Sequence, residues 1–592
     1  MQCGSCPQPK GEFFKMQAVN LLHAAARTVA GTLASFVIVG SVVAATDPLN
    51  VLPPMGIGPS PVACSDIAMN TPVAGAPSDY WEGVPFDNNP HYVSQILAEP
   101  AATFAYQVAV PDDSQVYASQ AGNSVLFVAI VCYPTTPSNN RPDYPIPGES
   151  PVPKMQRAGQ SPIFGDESKR YPVVVFSHGL GGSPITSEYL QSMQLFATYG
   201  YVVIAPFHAD RRFSPIRVQD FRDVVYLVRN MDKLNSMQAM RPQALKGAVD
   251  ALLAHPQFRD HVDANAIGGF GASLGGEAML LLAGAKLTIS FGLSSKRVIE
   301  PDTRFKAMVG YVPYSGQRLL PAFGDDQNGT IGITTPFMAI GGTADTTAPL
   351  VLTEQAVNNL AGTRYVVSLP GVEHGLKSEN VPDVFTWAFT FLDAHLKDPA
   401  TRRQQRTKLA RLQRVIGGTD ETVNVDVLLP APPLPGETLV QEFYNRHLDH
   451  YFITPYISEA DNIILRGSAG PGWDRTHLSF NAWADGSAPG VPVCRFYGTP
   501  GRGPNSHFFT ADAAECAAVR KDPGWTFEGL TMRVIVPIAG VCPLDSIPVY
   551  RLYNNRFAKN DSNHRYTTSR SMRNEMKGQG WIDEGTVFCA VP

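Results

Sequence analysis

The stretch GGFGASLGGE, Gly268 to Glu277, places Ser273 between Gly271 and Gly275. A serine hydroxyl becomes a nucleophile when a base takes its proton and a third group holds that base. The flanking glycines have a steric use: they let a strand and a helix pass closely around a strained serine. The apolar run AIGGFGA precedes Ser273 and the helical pattern LGGEAMLLLAGA follows it, the strand–turn–helix setting an exposed nucleophile needs. In one chain order used by such triads, the acid follows the serine and the histidine comes last. Asp345 in FMAIGGTADTTAPL follows an apolar strand pattern, and His374 in VVSLPGVEHGL follows the next. Glu373 is the alternative acid, although a carboxylate adjacent in sequence rarely aims back at its neighbour's ring. Acyl transfer also needs two fixed N–H donors for its oxyanion. Leu274 supplies one candidate amide, and Leu180 in the glycine-rich SHGLGGSP supplies the other. His178 in that loop, and His208 with Asp210 in APFHADRR, also end strands, and a loop-holding role is expected for them.

These residues need a scaffold that brings distant loops together. From Tyr171 the chain alternates short all-apolar runs with helical patterns. The runs are YPVVVFSHG, YVVIAPF, AIGGFGAS, FKAMVGYV, PFMAIGG and RYVVSLPG, each reading as a strand buried on both faces. SEYLQSMQLFATYG, MRPQALKGAVDALLAHP and DVFTWAFTFLDAHL (383–396) read as helices between or after them. This alternation predicts an α/β class with a mostly parallel sheet and helices on both faces. Upstream, TFAYQVAV and SVLFVAIVCY read as two more strands.

The segments YPVVVFSHGLGGSP and ATYGYVVIAPFHADRRFS, with Gly-x-Ser-x-Gly, resemble the α/β-hydrolase family, on the branch of platelet-activating-factor acetylhydrolases and dienelactone-hydrolase-like esterases. TPFMAIGGTADTTAPL and LPGVEHG are similar to the acid and histidine loops of bacterial cutinase-type polyester hydrolases. The resemblance spans about residues 120–396. It implies an α/β-hydrolase sheet, a triad of Ser273, Asp345 and His374, oxyanion donors at Leu180 and Leu274, and no cofactor. In the acetylhydrolases the acid follows the strand after the elbow helix. Here that segment, AMVGYVPYSG, holds no carboxylate, which supports Asp345. The implied activity is a secreted serine hydrolase cleaving carboxylic esters, small or polymeric. A lipid acyl hydrolase of the phospholipase A2 or acetylhydrolase type is the alternative.

At 592 residues the chain is too long for one core. Charged residues are 17%, the net charge is −5 and no basic block stands out, which excludes an electrostatic nucleic-acid surface. Lys10, Lys15 and Arg27 precede a 17-residue apolar run, Val29–Ala45, containing four glycines or serines. That is shorter than the roughly 20 residues of a membrane span, so residues 1–45 are expected to be an export signal, with Met16 an alternative start. A secreted or periplasmic location follows. Cys3 and Cys6 would be lost with the signal, leaving six cysteines. The expected pairs are Cys64–Cys132, Cys494–Cys516 and Cys542–Cys589, although four tail cysteines allow three connectivities. They lack the Cys-x-x-Cys brackets of a zinc site, so no metal is expected.

The expected domains are 46–400, carrying the chemistry, a basic surface helix and Pro-rich linker over 401–436, and a β-rich module over 437–592. The module repeats itself: EFYNRHLDHYFIT, CRFYGTPGRGPNSHFFT and YRLYNNRFAKNDSNHRYTT align. Tyr444, Tyr497 and Tyr553 recur, His450, His507 and His564 recur every 57 residues, and Trp473, Trp525 and Trp581 each follow a glycine. Three such units are expected to stack around one core. Trp483 and Trp525 offer flat contacts, so an insoluble polymer or a surface glycan is the expected partner of this module. A purely binding protein is the other class of function. Its hydrolase part would then be expected to lack a triad position, and none is missing.

Overall fold

The structure is a computed structural model that describes residues 56–67, 104–146, 148–214, 230–290, 295–318, 320–377, 380–412, 422–424, 433–467, 469–484, 486, 489–543 and 546–591. The expected export signal and most of the Pro-rich linker lie outside them. Among the described residues no helix is long and apolar enough to cross a membrane.

Among the described residues, ten strands build one mixed sheet. They are β1 (Val62–Cys64), β2 (Phe104–Ala109), β3 (Ser124–Pro134), β4 (Tyr171–Ser177), β5 (Val202–Pro206), β6 (Val262–Ala272), β7 (Phe305–Tyr311), β8 (Phe337–Gly342), β9 (Arg364–Leu369) and β10 (Thr422–Asn424). Their order is β1-β3-β5-β4-β6-β7-β8-β9-β10, with β2 paired to β3. The six apolar runs are β4 to β9, and all their mutual pairings are parallel. Every residue of β4, β5, β8 and β9 is buried, as a strand covered on both faces requires. β2 alternates buried and exposed residues, the pattern of an antiparallel strand with one wet face.

Alternating side chains of the sheet enter two separate cores. One is closed by α1 (Ser187–Thr198) and α5 (Val381–Leu396), through Leu190, Phe196, Phe385 and Phe389. The other is closed by α2 (Met231–Ala254), α3 (Leu274–Leu282) and α4 (Leu350–Asn358), through Met240, Leu245, Leu281 and Val357. The result is a three-layer α/β arrangement. α2 starts nine residues before the pattern that predicts it and runs through Pro242. Its apolar contacts with the sheet outweigh the hydrogen bond that a proline omits.

The stretch after α5 differs from expectation. The basic surface helix is α6 (Pro399–Leu412), and it is not wholly at the surface. Leu409 joins the first core, and buried Arg406 bonds Glu437 at 3.2 Å. Residues 422–424, expected in the linker, form β10 and extend the sheet antiparallel to β9.

The C-terminal part contains three units, each a hairpin, a helix and a returning strand. The first is β11 (Glu437–Asn445), β12 (His450–Thr454), α7 (Ile457–Leu465) and β13 (Trp473–Trp483). The second is β14 (Val491–Gly498), β15 (His507–Thr510), α8 (Ala513–Val519) and β16 (Trp525–Val534). The third is β17 (Ile547–Tyr553), β18 (His564–Thr567), α9 (Arg570–Gly578) and β19 (Ile582–Ala590). Bridges Trp483–Arg533, Ile535–Cys589 and Asn481–Val591 join each unit to both others around one core. Among the described residues the disulfides are Cys64–Cys132, Cys494–Cys516 and Cys542–Cys589.

The histidine alignment of the repeat needs correction. Tyr444, Tyr497 and Tyr553 face Tyr451, His507 and His564 across their hairpins. Tyr451, not His450, therefore holds the position of His507 and His564. The constant spacing of 57 arises because the hairpin loops differ in length.

Candidate active site

In an open parallel sheet, ligands bind beyond the carboxyl ends of the strands where the strand order reverses. Here β4 lies between β5, which follows it, and β6, which continues the order on its other side. The loop carrying Leu180 leaves β4 and Ser273 leaves β6, so both stand at this reversal.

Ser273 caps α3 with φ 55° and ψ −118°, a region that L residues rarely occupy. The surrounding backbone holds it there: its N–H donates to the Tyr311 carbonyl at 2.9 Å, and its own carbonyl accepts from Tyr314 N at 3.0 Å. A Cβ on Gly271 would stand 2.1 Å from the Gly275 carbonyl oxygen, and one on Gly275 would stand 2.0 Å from that of Ser177. Bare glycines therefore let β6, α3 and β4 meet at the serine.

β8 and β9 deliver the other two side chains. Thr343 N donates to the Leu369 carbonyl and Ala344 N to that of Val372, at 3.0 and 3.1 Å, which zips the two strand ends together. Asp345 Oδ1 accepts the amides of Thr347 and Ala348, each at 2.8 Å. Its Oδ2 lies 2.8 Å from His374 Nδ1, and His374 Nε2 lies 2.9 Å from Ser273 Oγ. The Asp345 side chain is fully buried while that of His374 is 28% exposed. Tyr311 Oη donates to the carbonyl of Gly375 at 3.1 Å, tying the histidine loop to β7. A carboxylate on Nδ1 fixes the tautomer that leaves Nε2 free to accept a proton. The alternative acid, Glu373, faces solvent and pairs with Lys377 at 3.1 Å.

Leu274 is the first residue of α3, and the first N–H groups of a helix lack intrahelical acceptors. Among the described residues Leu180 N–H makes no hydrogen bond. The Leu180 loop is held from behind by Arg241, a residue absent from the candidates that motif and spacing supply. Arg241 donates to the His178 carbonyl at 2.6 Å and to the Gly179 carbonyl at 3.3 Å. In a trans peptide the N–H points opposite to the carbonyl, so Leu180 N–H is turned away from Arg241. Asp210 in turn grips Arg241 through two hydrogen bonds, at 2.9 and 2.5 Å. One signal in the sequence could have found Arg241. It sits on the apolar stripe Leu234, Met237, Leu245 and Ala248 of α2, where a lone charge demands a buried partner.

His178 and His208 are placed beside this loop. His178 Nδ1 bonds the Gly179 carbonyl and His208 Nε2 bonds Ser177 Oγ, each at 2.8 Å. Burial, helped by the nearby Arg241 charge, pushes the His178 imidazole down to about 4 and holds His208 well below its ordinary value. Both are therefore neutral near pH 7. Behind the serine, Glu277 is fully buried on α3. Gln238 donates to its Oε1 at 2.7 Å, and Oε2 has no hydrogen-bond partner among the described residues. Burial pushes this carboxyl up to about 8, against the smaller opposing pulls of Arg241 and Gln238. Among the described residues no group of three His, Cys, Asp or Glu side chains could hold a metal ion.

Comparisons with known proteins bear on two separate regions of the chain. No curated protein matches the chain. Residues 436–591 match a model described as a domain of unknown function (DUF5648). Residues 156–223 match the model for platelet-activating factor acetylhydrolase, isoform II. This second match covers β4, the Leu180 loop, α1 and β5, and stops before Ser273. The stretch that carries the Leu180 loop is therefore similar to an ester-hydrolysing enzyme.

Proposed function

We propose that the protein is a serine hydrolase of the α/β-hydrolase fold that cleaves carboxylic esters through an acyl-enzyme. The observation that carries this reading is the hydrogen-bonded series Ser273 Oγ, His374 Nε2, His374 Nδ1 and Asp345 Oδ2. Ser273 Oγ attacks the ester carbonyl carbon while His374 Nε2 takes the hydroxyl proton. Asp345 holds the imidazole and stabilises its charged form. The amides of Leu180 and Leu274 receive the oxyanion. The intermediate collapses with loss of the alkoxide, which takes the proton from His374. Water then repeats the sequence on the acyl-serine and releases the acid. Three disulfides suit an oxidising compartment, so we place the enzyme outside the cytoplasm.

Replacing Ser273 with Ala is expected to abolish hydrolysis of p-nitrophenyl acetate and labelling by a fluorophosphonate. Retained turnover would refute the reading. A second reading, a lipid acyl hydrolase, is favoured by the acetylhydrolase match over residues 156–223. A panel of short-chain phospholipid, triglyceride and polyester film separates lipid, small-ester and polymer cleavage.

A further inference from the structure

The C-terminal units meet at interfaces that are not equivalent. Where the first unit meets the second there is a cleft of about 310 Å³, at the lower edge of the roughly 300–1,000 Å³ typical of small-molecule sites. Its walls include Trp473 and Tyr497, and its polar groups include Glu459, Arg495, Asn505 and Glu528. Arg495 Nη1 and Nη2 donate to the two oxygens of Glu459, each at 2.8 Å, and its Nε donates to Glu528 at 2.7 Å. Tyr497 donates to Asn505 Oδ1 at 2.7 Å, and its ring lies against His507 with centroids 4.8 Å apart.

We propose that this cleft is a binding site for a neutral oligosaccharide. The C–H faces of a sugar ring pack on aromatic rings, and its hydroxyls both donate and accept. Trp473 and Tyr497 offer the rings. Glu459 and Glu528 remain 30% and 32% exposed, so their carboxylates keep lone pairs for hydroxyl donors. Asn505 adds an amide. Two carboxylates facing one guanidinium leave a net negative charge, which disfavours acidic sugars. Arg495 already stands over the Phe452 ring, at 5.2 Å, where a ligand cation would stack.

An ion pair that merely joins two units accounts for Glu459 and Arg495. It does not account for partly exposed aromatics along the rim. Apart from Asn505, whose place is taken by Ser562, the set recurs where the second unit meets the third, as Glu515, Trp525, Arg551, Tyr553, His564 and Glu584. Arg551 there bonds both oxygens of Glu515 at 2.9 Å and Glu584 at 2.6 Å. The third interface lacks the set, because Glu442 stands where Arg495 and Arg551 stand. Recurrence within one chain is what a module with repeated ligand sites would show.

The test is calorimetric titration of the full chain with chitotriose, cellotriose and maltotriose, with trigalacturonate and choline as controls. At least one neutral trisaccharide is expected to bind. Trp473→Ala is expected to weaken it at least about tenfold. If Trp473→Ala does not fold, Tyr497→Ala and Glu528→Gln carry the same expectation. The inference is independent of the ester-cleaving reading, and the Ser273→Ala chain is expected to bind equally. It is overturned if no neutral trisaccharide binds, if binding survives the cleft variants, or if only trigalacturonate or choline binds.

Discussion

Arg241 and Asp210 are joined by two hydrogen bonds with only 1% and 6% of their side chains exposed. The pair fixes the backbone carbonyls of His178 and Gly179, and through them the direction of Leu180 N–H. Arg241→Met strands a buried carboxylate and is expected to cost about 3–5 kcal/mol of stability. Pairing it with Asp210→Leu removes both charges and is expected to restore most of that stability. Turnover of the double variant should nevertheless stay down, by about 10²-fold in kcat with little change in KM. A double variant with wild-type kcat would show that the pair serves stability alone.

The serine turn makes a contrast between neighbouring glycines. Gly271→Ala and Gly275→Ala each drive a Cβ into a backbone carbonyl that cannot swing aside. Each is expected to cost about 1–3 kcal/mol or more and to remove most ester hydrolysis. At Gly375, adjacent to His374, an added methyl would meet nothing within 4 Å. Gly375→Ala is expected to stay within about 0.5 kcal/mol of wild type. Thermal unfolding and p-nitrophenyl acetate assays check all three.

Glu277 predicts a pH dependence of stability. Its folded value, about 8, lies above the ordinary 4.5. The folded state therefore keeps a proton that the unfolded chain releases. That contribution is fully present below about pH 4.5 and is lost as the pH rises towards 8, with a limiting slope of about 1.4 kcal/mol per pH unit. Glu277→Gln cannot ionise, so its stability curve should be flatter across this window and the variant should gain on wild type at its upper end. Parallel curves in chemical denaturation would contradict this.

The C-terminal ring closes through a charge exchange. Arg495 and Arg551 each stack over a phenylalanine of the preceding unit, Phe452 and Phe508, and bond a glutamate at the third helical position. In the third interface the arginine is replaced by Glu442, the phenylalanine by Arg565 and the helical glutamate by Met572. Arg565 bonds both oxygens of Glu442, at 3.0 and 2.8 Å, with both side chains buried. Arg565→Phe alone is expected to cost about 3–5 kcal/mol, because Glu442 is left uncompensated. Adding Glu442→Arg and Met572→Glu rebuilds the pattern of the other two interfaces and should recover much of the loss. Calorimetric melting of the single and triple variants checks this.

Much of the fold could be read directly. The strands β4 to β9 announced themselves as apolar runs because a parallel strand is covered on both faces and has no polar side to show. Ser273, Asp345 and His374 were legible for a related reason: each follows such a run, and the carboxyl ends of parallel strands lie along one edge. Arg406 was not legible as a buried residue, and the apolar stripe that turns Arg241 inward does not name its partner, because Glu437 and Asp210 are distant residues that no local pattern specifies. The tail register was misread at His450, since equal spacing along the chain does not preserve register when loop lengths differ.

The amino-acid sequence by itself determined the alternation of elements, the tight turn at Ser273 and the three-unit tail, because apolar periodicity and glycine sterics are local properties. Tertiary structure alone decided which way Leu180 N–H points, that Glu277 is sealed from water, and that one tail interface exchanges its charges. Those outcomes depend on partners brought together by packing, and packing is not written in spacing along the chain.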